Sequence, residues 1–192
     1  MPDDLTPQQI RRKKAFGEPV YEDEEPSDDE QRHLIAVLVK NTTGAFNRVA
    51  NLFSARGFNL ESVAVGETEE EGVARMTLAT TGNDRIIAQV MRQLRGLVDT
   101  LEVDDLTDEE YVERELCLLK VRYSSDNRAE IMGNLEIFRG KVVDVKPGTM
   151  TFELTGPTKK INAFIGMMRS YEIVEIARSG RVAMRRALFY GD

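Results

Sequence analysis

Six consecutive residues hold most of the binding chemistry this sequence offers: Asn41-Thr42-Thr43-Gly44-Ala45-Phe46, between an apolar run and an amphipathic one. The first N–H groups of a helix lack intrahelical acceptors, and the helix dipole places partial positive charge beside them, so the segment can seat a carboxylate. Gly44 lets a ligand approach where a Cβ would intrude. Asn41 brings an amide that donates and accepts, which suits a ligand carrying ammonium as well as carboxylate. The same residues also make an ordinary capped turn, because Asn and Gly are common in turns for conformational reasons. Taken alone, the segment does not decide between the two. Catalytic groupings are scarcer. The one histidine, His33, stands at the mouth of the first apolar run and reads as a solvated strand end. The one cysteine, Cys117, alternates with Leu119 and Val121 and reads as a small core residue. No G-x-G-x-x-G and no P-loop pattern occurs. The acid clusters Glu69–Glu71 and Asp108–Glu110 fall in expected loops and read as solvated charge rather than a metal cage. One His and one Cys are too few for a usual zinc site or an internal disulfide, which fits a reducing cytoplasm. No catalytic or metal-binding residue is expected.

The elements that would hold the loop follow from hydrophobic period. Leu34–Val39 reads as a buried central strand. Phe46, Val49, Ala50 and Phe53 form one helical stripe, on a helix expected to stop at Gly57 after Arg56. Leu60–Glu67 is the second strand. Ala74, Met76 and Leu78 alternate with Arg75, Thr77 and Ala79 as a half-buried third strand after an acidic turn. Asp84 can cap a helix facing inward through Ile87, Val90, Leu94 and Leu97, and the segment 98–103 returns as a fourth strand. This βαββαβ order is that of ferredoxin-like domains. After an acidic linker, Thr107–Glu113, the order repeats. Leu116–Tyr123 is a strand, and Ile131, Leu135 and Phe138 mark a helix ended by Gly140. Val142–Val145 and Met150–Leu154 form a hairpin around Pro147 and Gly148. Ile161, Phe164, Ile165 and Met168 face a helix opened by Thr158, and Ile173–Ala177 closes the unit. The expected class is α+β, two tandem ferredoxin-like domains at 32–106 and 113–186. Units of about 80 residues are marginal alone, so pairing between domains or chains is expected.

Charge separates the remainder. The chain has 192 residues and a net charge of −7, and residues 1–30 hold ten acids against four bases, a net −6. With no apolar periodicity, residues 1–31 read as a disordered acidic tail. Neither a signal peptide nor a transit peptide is expected there, and no later stretch is long and apolar enough for a membrane span. The acidic balance argues against nucleic-acid binding through phosphate neutralisation and against attraction to anionic membranes. RNA-recognition domains share the topology, but their aromatic and basic strand pattern is missing here.

The stretch LIAVLVKNTTGAFNRVANLFSARGFNLESVAVGETEEEGVARMTLAT resembles the ACT domain of acetolactate synthase small subunits. The likeness continues through VEREL, NLEIFRGKVVDV and VEIARSG, spanning about 34 to 186 in the family's order. The resemblance implies a regulatory chain that does no chemistry itself. Such a chain associates with a large thiamine-diphosphate-dependent catalytic subunit, raises its activity and confers feedback inhibition by valine or another branched-chain amino acid. Thiamine diphosphate, magnesium and FAD would belong to that subunit, with no cofactor in this chain. The resemblance also implies a homodimer through ACT domains, with the effector between Asn41, Thr42, Thr43, Gly44, Ala45 and Phe46 of one copy and Asn59 of the other. Val37, Val63 and Val65 are expected to line it. Position 47 is Asn where relatives often have Ser, which bears on effector affinity. A free-standing ACT-domain sensor regulating another enzyme is the alternative.

Overall fold

The computed structural model describes residues 30–55 and 58–186. The first unit runs β1 (Gln31–Lys40), α1 (Ala45–Ala55), β2 (Leu60–Glu67), β3 (Val73–Gly82), α2 (Asp84–Arg95) and β4 (Thr100–Asp105). The second runs β5 (Tyr111–Arg122), α3 (Arg128–Ile137), β6 (Lys141–Lys146), β7 (Thr149–Gly156), α4 (Thr158–Met168) and β8 (Ile173–Arg185). Among the described residues these form two four-stranded antiparallel sheets, ordered β2-β3-β1-β4 and β6-β7-β5-β8. This is the expected tandem ferredoxin-like, α+β architecture. The expected acidic tail lies outside the described residues except for its last two positions, and Gln31 already belongs to β1. The expected helix stop at Arg56 and Gly57 is also outside them.

Each sheet buries one face under its two helices. Ile35, Val37, Val39, Met76 and Leu78 meet Val49, Phe53, Val90 and Leu94 in the first core. Cys117, Leu119 and Val121 meet Ile131, Phe152, Ile161 and Phe164 in the second. Helix α1 turns Ala45, Val49 and Phe53 inward, whereas Phe46 stands 46% exposed at the helix start. The core stripe therefore begins one residue earlier than its period suggested. The cap of α2 shifts by one as well. Asn83, not Asp84, accepts a hydrogen bond from the Ile86 N–H at 3.0 Å, and Asp84 occupies the first turn. An amide in extended backbone before the helix reaches that donor, and Asp84 is already helical.

Three expectations fail because the two sheets touch. Strand β3 is buried on both faces rather than half-buried, with Thr77 and Ala79 as inaccessible as Met76 and Leu78. Its outer face is covered by a third apolar cluster, Leu34, Ala36, Ala79, Leu106 and Ala183, the last from β8. Strand β8 runs to Arg185 instead of ending near Ala177, and β5 starts at Tyr111, inside the expected linker. Tyr111 pairs with Arg185 and Val112 with Met184, so these two extensions hold each other. The register slips between Glu115 and Cys117, opposite the segment that holds Gly180 at φ +75°. A Cβ there would lie 3.2 Å from the Val63 carbonyl oxygen, so glycine lets β8 lie against β2. The fourth strand also begins at Thr100, two residues later than expected.

Candidate functional site

The Asn41–Phe46 loop connects the central strand β1 to α1, and long-range bonds fix its shape. The Asn41 N–H donates to the Gly72 carbonyl at 2.7 Å, and the Ala45 N–H to the Thr42 carbonyl at 3.1 Å. The Asn41 side-chain amide donates to Glu67 Oε1 at 3.2 Å, so part of its polar capacity is taken by the end of β2. Gly44 has φ +86°, a conformation that favours glycine. The space a Cβ would take is filled by Arg48, whose Nη1 would be 3.0 Å away. The guanidinium of Arg48 pairs with the Asp99 carboxylate, which also accepts from the Thr42 hydroxyl at 3.2 Å. The Asp99 carbonyl in turn accepts from the Lys40 N–H at 2.8 Å. Arg48 and Asp99 are thus the clamp of this loop, and sequence reasoning passed over both. Arg48 lies four residues from Gly44 on one helix face, but nothing local points to Asp99.

Among the described residues, the N–H groups of Thr43, Gly44, Phe46 and Asn47 have no acceptor. Gly44, Phe46 and Asn47 border a cleft of about 130 Å³ lined by Val39, Ala74 and Met76 at its base and by Phe46 and Val65 at its rim. The arrangement can hold a carboxylate on the open amides while an aliphatic group meets the wall. Asn41, Thr42, Gly44, Ala45 and Phe46 line this cleft. Thr43, expected with them, is not among the residues that line it. Asn59 is elsewhere in the same chain, exposed, with its carbonyl accepting from the Thr80 hydroxyl at 2.8 Å. Of the expected apolar lining, Val65 is present. Val37 is fully buried in the first core beneath the helices, and Val63 packs against the same core while its carbonyl faces Gly180 of β8. Val39, on the same face of β1 two residues on, does line the cleft, so alternation alone did not exclude Val37.

His33 is not a solvated strand end: it is 3% exposed. It shares the inward face with Ile35 and Val37, two residues apart, which the strand period could have shown. Its Nδ1 lies 3.6 Å from Asp105 Oδ2 and 3.3 Å from Thr107 Oγ1. Burial would push the imidazole down and the Asp105 carboxyl up, but their mutual bond and opposite charges prevail. His33 is held above its usual value and Asp105 below. Cys117 is wholly buried, and burial pushes its thiol up. Among the described residues no group of three or more His, Cys, Asp or Glu side chains could hold a metal ion. No helix among them is long and apolar enough to cross a membrane.

Fold and loop together define a protein of two tandem ferredoxin-like domains, the first of the ACT type. Residues 35–102 match the family model described as the AHAS small subunit-like ACT domain, and residues 114–187 match that of the small subunit of acetolactate synthase. The chain is 51% identical over 160 residues to the acetolactate synthase small subunit of Aquifex aeolicus, covering 82% of this chain and 83% of that one. It is 42% identical over 156 residues to the isozyme 3 small subunit of Escherichia coli, covering 81% and 96%. The crystal structure of the small subunit from Thermotoga maritima superposes with a TM-score of 0.75 at 41% identity, covering 82% of this chain and 99% of that one. The chain belongs to the acetolactate synthase small-subunit family.

Proposed function

We propose that this chain is the regulatory subunit of a cytoplasmic acetolactate synthase. In this reading it binds and activates the thiamine-diphosphate-dependent catalytic subunit, and makes it subject to inhibition by valine or a related branched-chain amino acid. Thiamine diphosphate, magnesium and FAD belong to that catalytic subunit. The observation that carries the effector assignment is the pairing of open helix-start amides with an apolar wall, within a chain of this family. The amides and dipole receive the carboxylate, and Val65 and Met76 receive the branched side chain.

The effector site is completed by a second copy. Strand β2 is the edge of its sheet, so one row of its N–H and C=O groups is available for pairing. Asn59, immediately before β2, is then presented to the partner's loop, where its amide oxygen can meet the effector ammonium. A ligand touching both copies biases the arrangement only through different affinities for its alternatives, typically about 1–3 kcal/mol of coupling. The test mixes purified chain with its catalytic subunit and follows acetolactate formation with and without valine, leucine and isoleucine. Activation together with inhibition by at least one of them is expected. Absence of both overturns the reading. Capture of a different enzyme, with an amino-acid response, assigns a free-standing sensor instead.

A further inference from the structure

The chain leaves the first unit through Asp105, Leu106 and Thr107, and this crossing is tied back to β1. The Leu106 N–H donates to the Leu34 carbonyl at 2.8 Å, and the Leu34 N–H to the Thr107 hydroxyl oxygen at 3.2 Å. The Asp105 carboxylate accepts from the Thr107 N–H at 2.9 Å and from its hydroxyl. Leu106, fully buried, is thereby held in the apolar cluster that also contains Ala183 of β8. From the second unit, Arg185 reaches Asp104 at 3.3 Å and Glu109 at 4.0 Å. The segment that joins the two units is therefore also a segment on which they pack.

His33 stands behind this crossing, its ring between carboxylates from two other elements. Asp105 of β4 lies 3.6 Å from Nδ1, and Asp84 at the start of α2 lies 3.9 Å from Nε2. The Thr107 hydroxyl oxygen is 3.3 Å from the same Nδ1, and Asp84 also accepts from the Gln31 amide at 2.7 Å. Strand β3 contributes the Gly82 carbonyl. Nε2 is buried and has no hydrogen-bond partner among the described residues. Acceptors and negative charge thus surround the ring, and only the imidazolium offers a donor on both nitrogens. Burial disfavours that charge, but the bond to Asp105 and the charges of Asp105 and Asp84 outweigh it. We propose that His33 is a proton-operated latch on the junction between the units: charged, it holds Asp105 and the Leu106–Thr107 crossing against β1, and neutral, it lets that crossing open more often. A group that binds its proton more tightly in the closed arrangement stabilises that arrangement fully below its ordinary pKa. The contribution is lost as pH rises through the raised value. Leu106 then leaves the contact between the sheets more often, so pH sets how firmly the units are coupled. The latch is separate from the 41–46 loop and does not depend on the proposed effector.

The test follows backbone amide exchange in the 192-residue chain by NMR between about pH 6 and pH 9, each rate divided by its intrinsic, base-catalysed rate. Protection of the Leu34 and Leu106 amides, taken relative to Val37 in the β1 ladder, is expected to fall by about threefold or more. The fall should coincide with titration of the His33 ring resonance. His33→Gln is expected to abolish the step. Asp84→Asn, at a partly exposed position, is expected to move both the step and the ring titration to lower pH, because one charge favouring the imidazolium is gone. A ratio that stays flat across the pH range in the parent chain overturns the latch. So does a step that persists in His33→Gln or, should that variant not fold, one that parts from the ring titration in Asp84→Asn.

Discussion

The Glu115–Arg178 pair gives an asymmetric prediction. Glu115 is 3% exposed, whereas the Arg178 side chain is 36% exposed. Removing one partner of a buried pair costs about 3–5 kcal/mol, because it leaves a charge without compensation. Arg178→Met comes near the lower end of that range, since Glu115 would keep only the Thr158 hydroxyl and the charge of Arg181. Glu115→Met leaves a guanidinium that can turn to water, and solvent screening cuts the expected cost to about 1–2 kcal/mol. The gap of about 2 kcal/mol corresponds to roughly thirtyfold in the folding equilibrium. Acid tests the cause. In the parent, burial would raise the Glu115 carboxyl, but Arg178 and the Thr158 hydroxyl hold it below the usual range. Its contribution is therefore present above the unfolded value and lost as pH falls through the folded one. In Arg178→Met the bidentate partner that chiefly opposes burial is gone and the carboxyl rises, with only the Thr158 hydroxyl and Arg181 holding it down, so the defect is largest near pH 7 and shrinks as acid neutralises Glu115. Urea unfolding by circular dichroism at pH 7 and pH 5 measures both effects; the chain has no Trp to report by fluorescence. Equal or greater damage from Glu115→Met at pH 7, or an Arg178→Met defect that does not shrink at pH 5, refutes the reasoning.

His33 is the only histidine, so a single imidazole resonance reports its titration, and its pKa is expected above the ordinary histidine value of about 6.5. The linked stability is fully present below the unfolded value and lost as pH rises through the raised one, a slope that His33→Gln removes; titration below 6.5 would contradict the Asp105 pairing. Gly44→Asp is expected to abolish the valine response while activation of the catalytic subunit survives. The new carboxylate repels an anion at the open amides, and the positive φ adds about 1–2 kcal/mol of strain. Retained inhibition would show the effector seat to be misplaced. Asn83→Ala should cost about 1 kcal/mol in chemical denaturation through loss of the α2 cap, and a change within error would remove Asn83 from that role.

Local signals made the two βαββαβ units readable. Alternation along Ala74–Leu78, the helical stripe at Ile161–Met168 and the Pro147-Gly148 turn each depend on residues a few positions apart. The Asn41–Phe46 loop was legible for the same reason, since a strand, a polar turn with glycine and a helix follow one another directly. Burial of His33 and Val37 also lay in the two-residue period of β1. Tertiary structure decided what depends on distant partners. Asp99 clamps a loop 57 residues before it, and Arg178 reaches back 63 residues to Glu115. The second face of β3 is dry only because β8 runs past Ala177 and brings Ala183 against Ala79. A sequence specifies which face of an element is apolar. Register and packing between the sheets decide which charges meet, and here they join Arg178 to Glu115 and set Arg181 3.9 Å from Glu113.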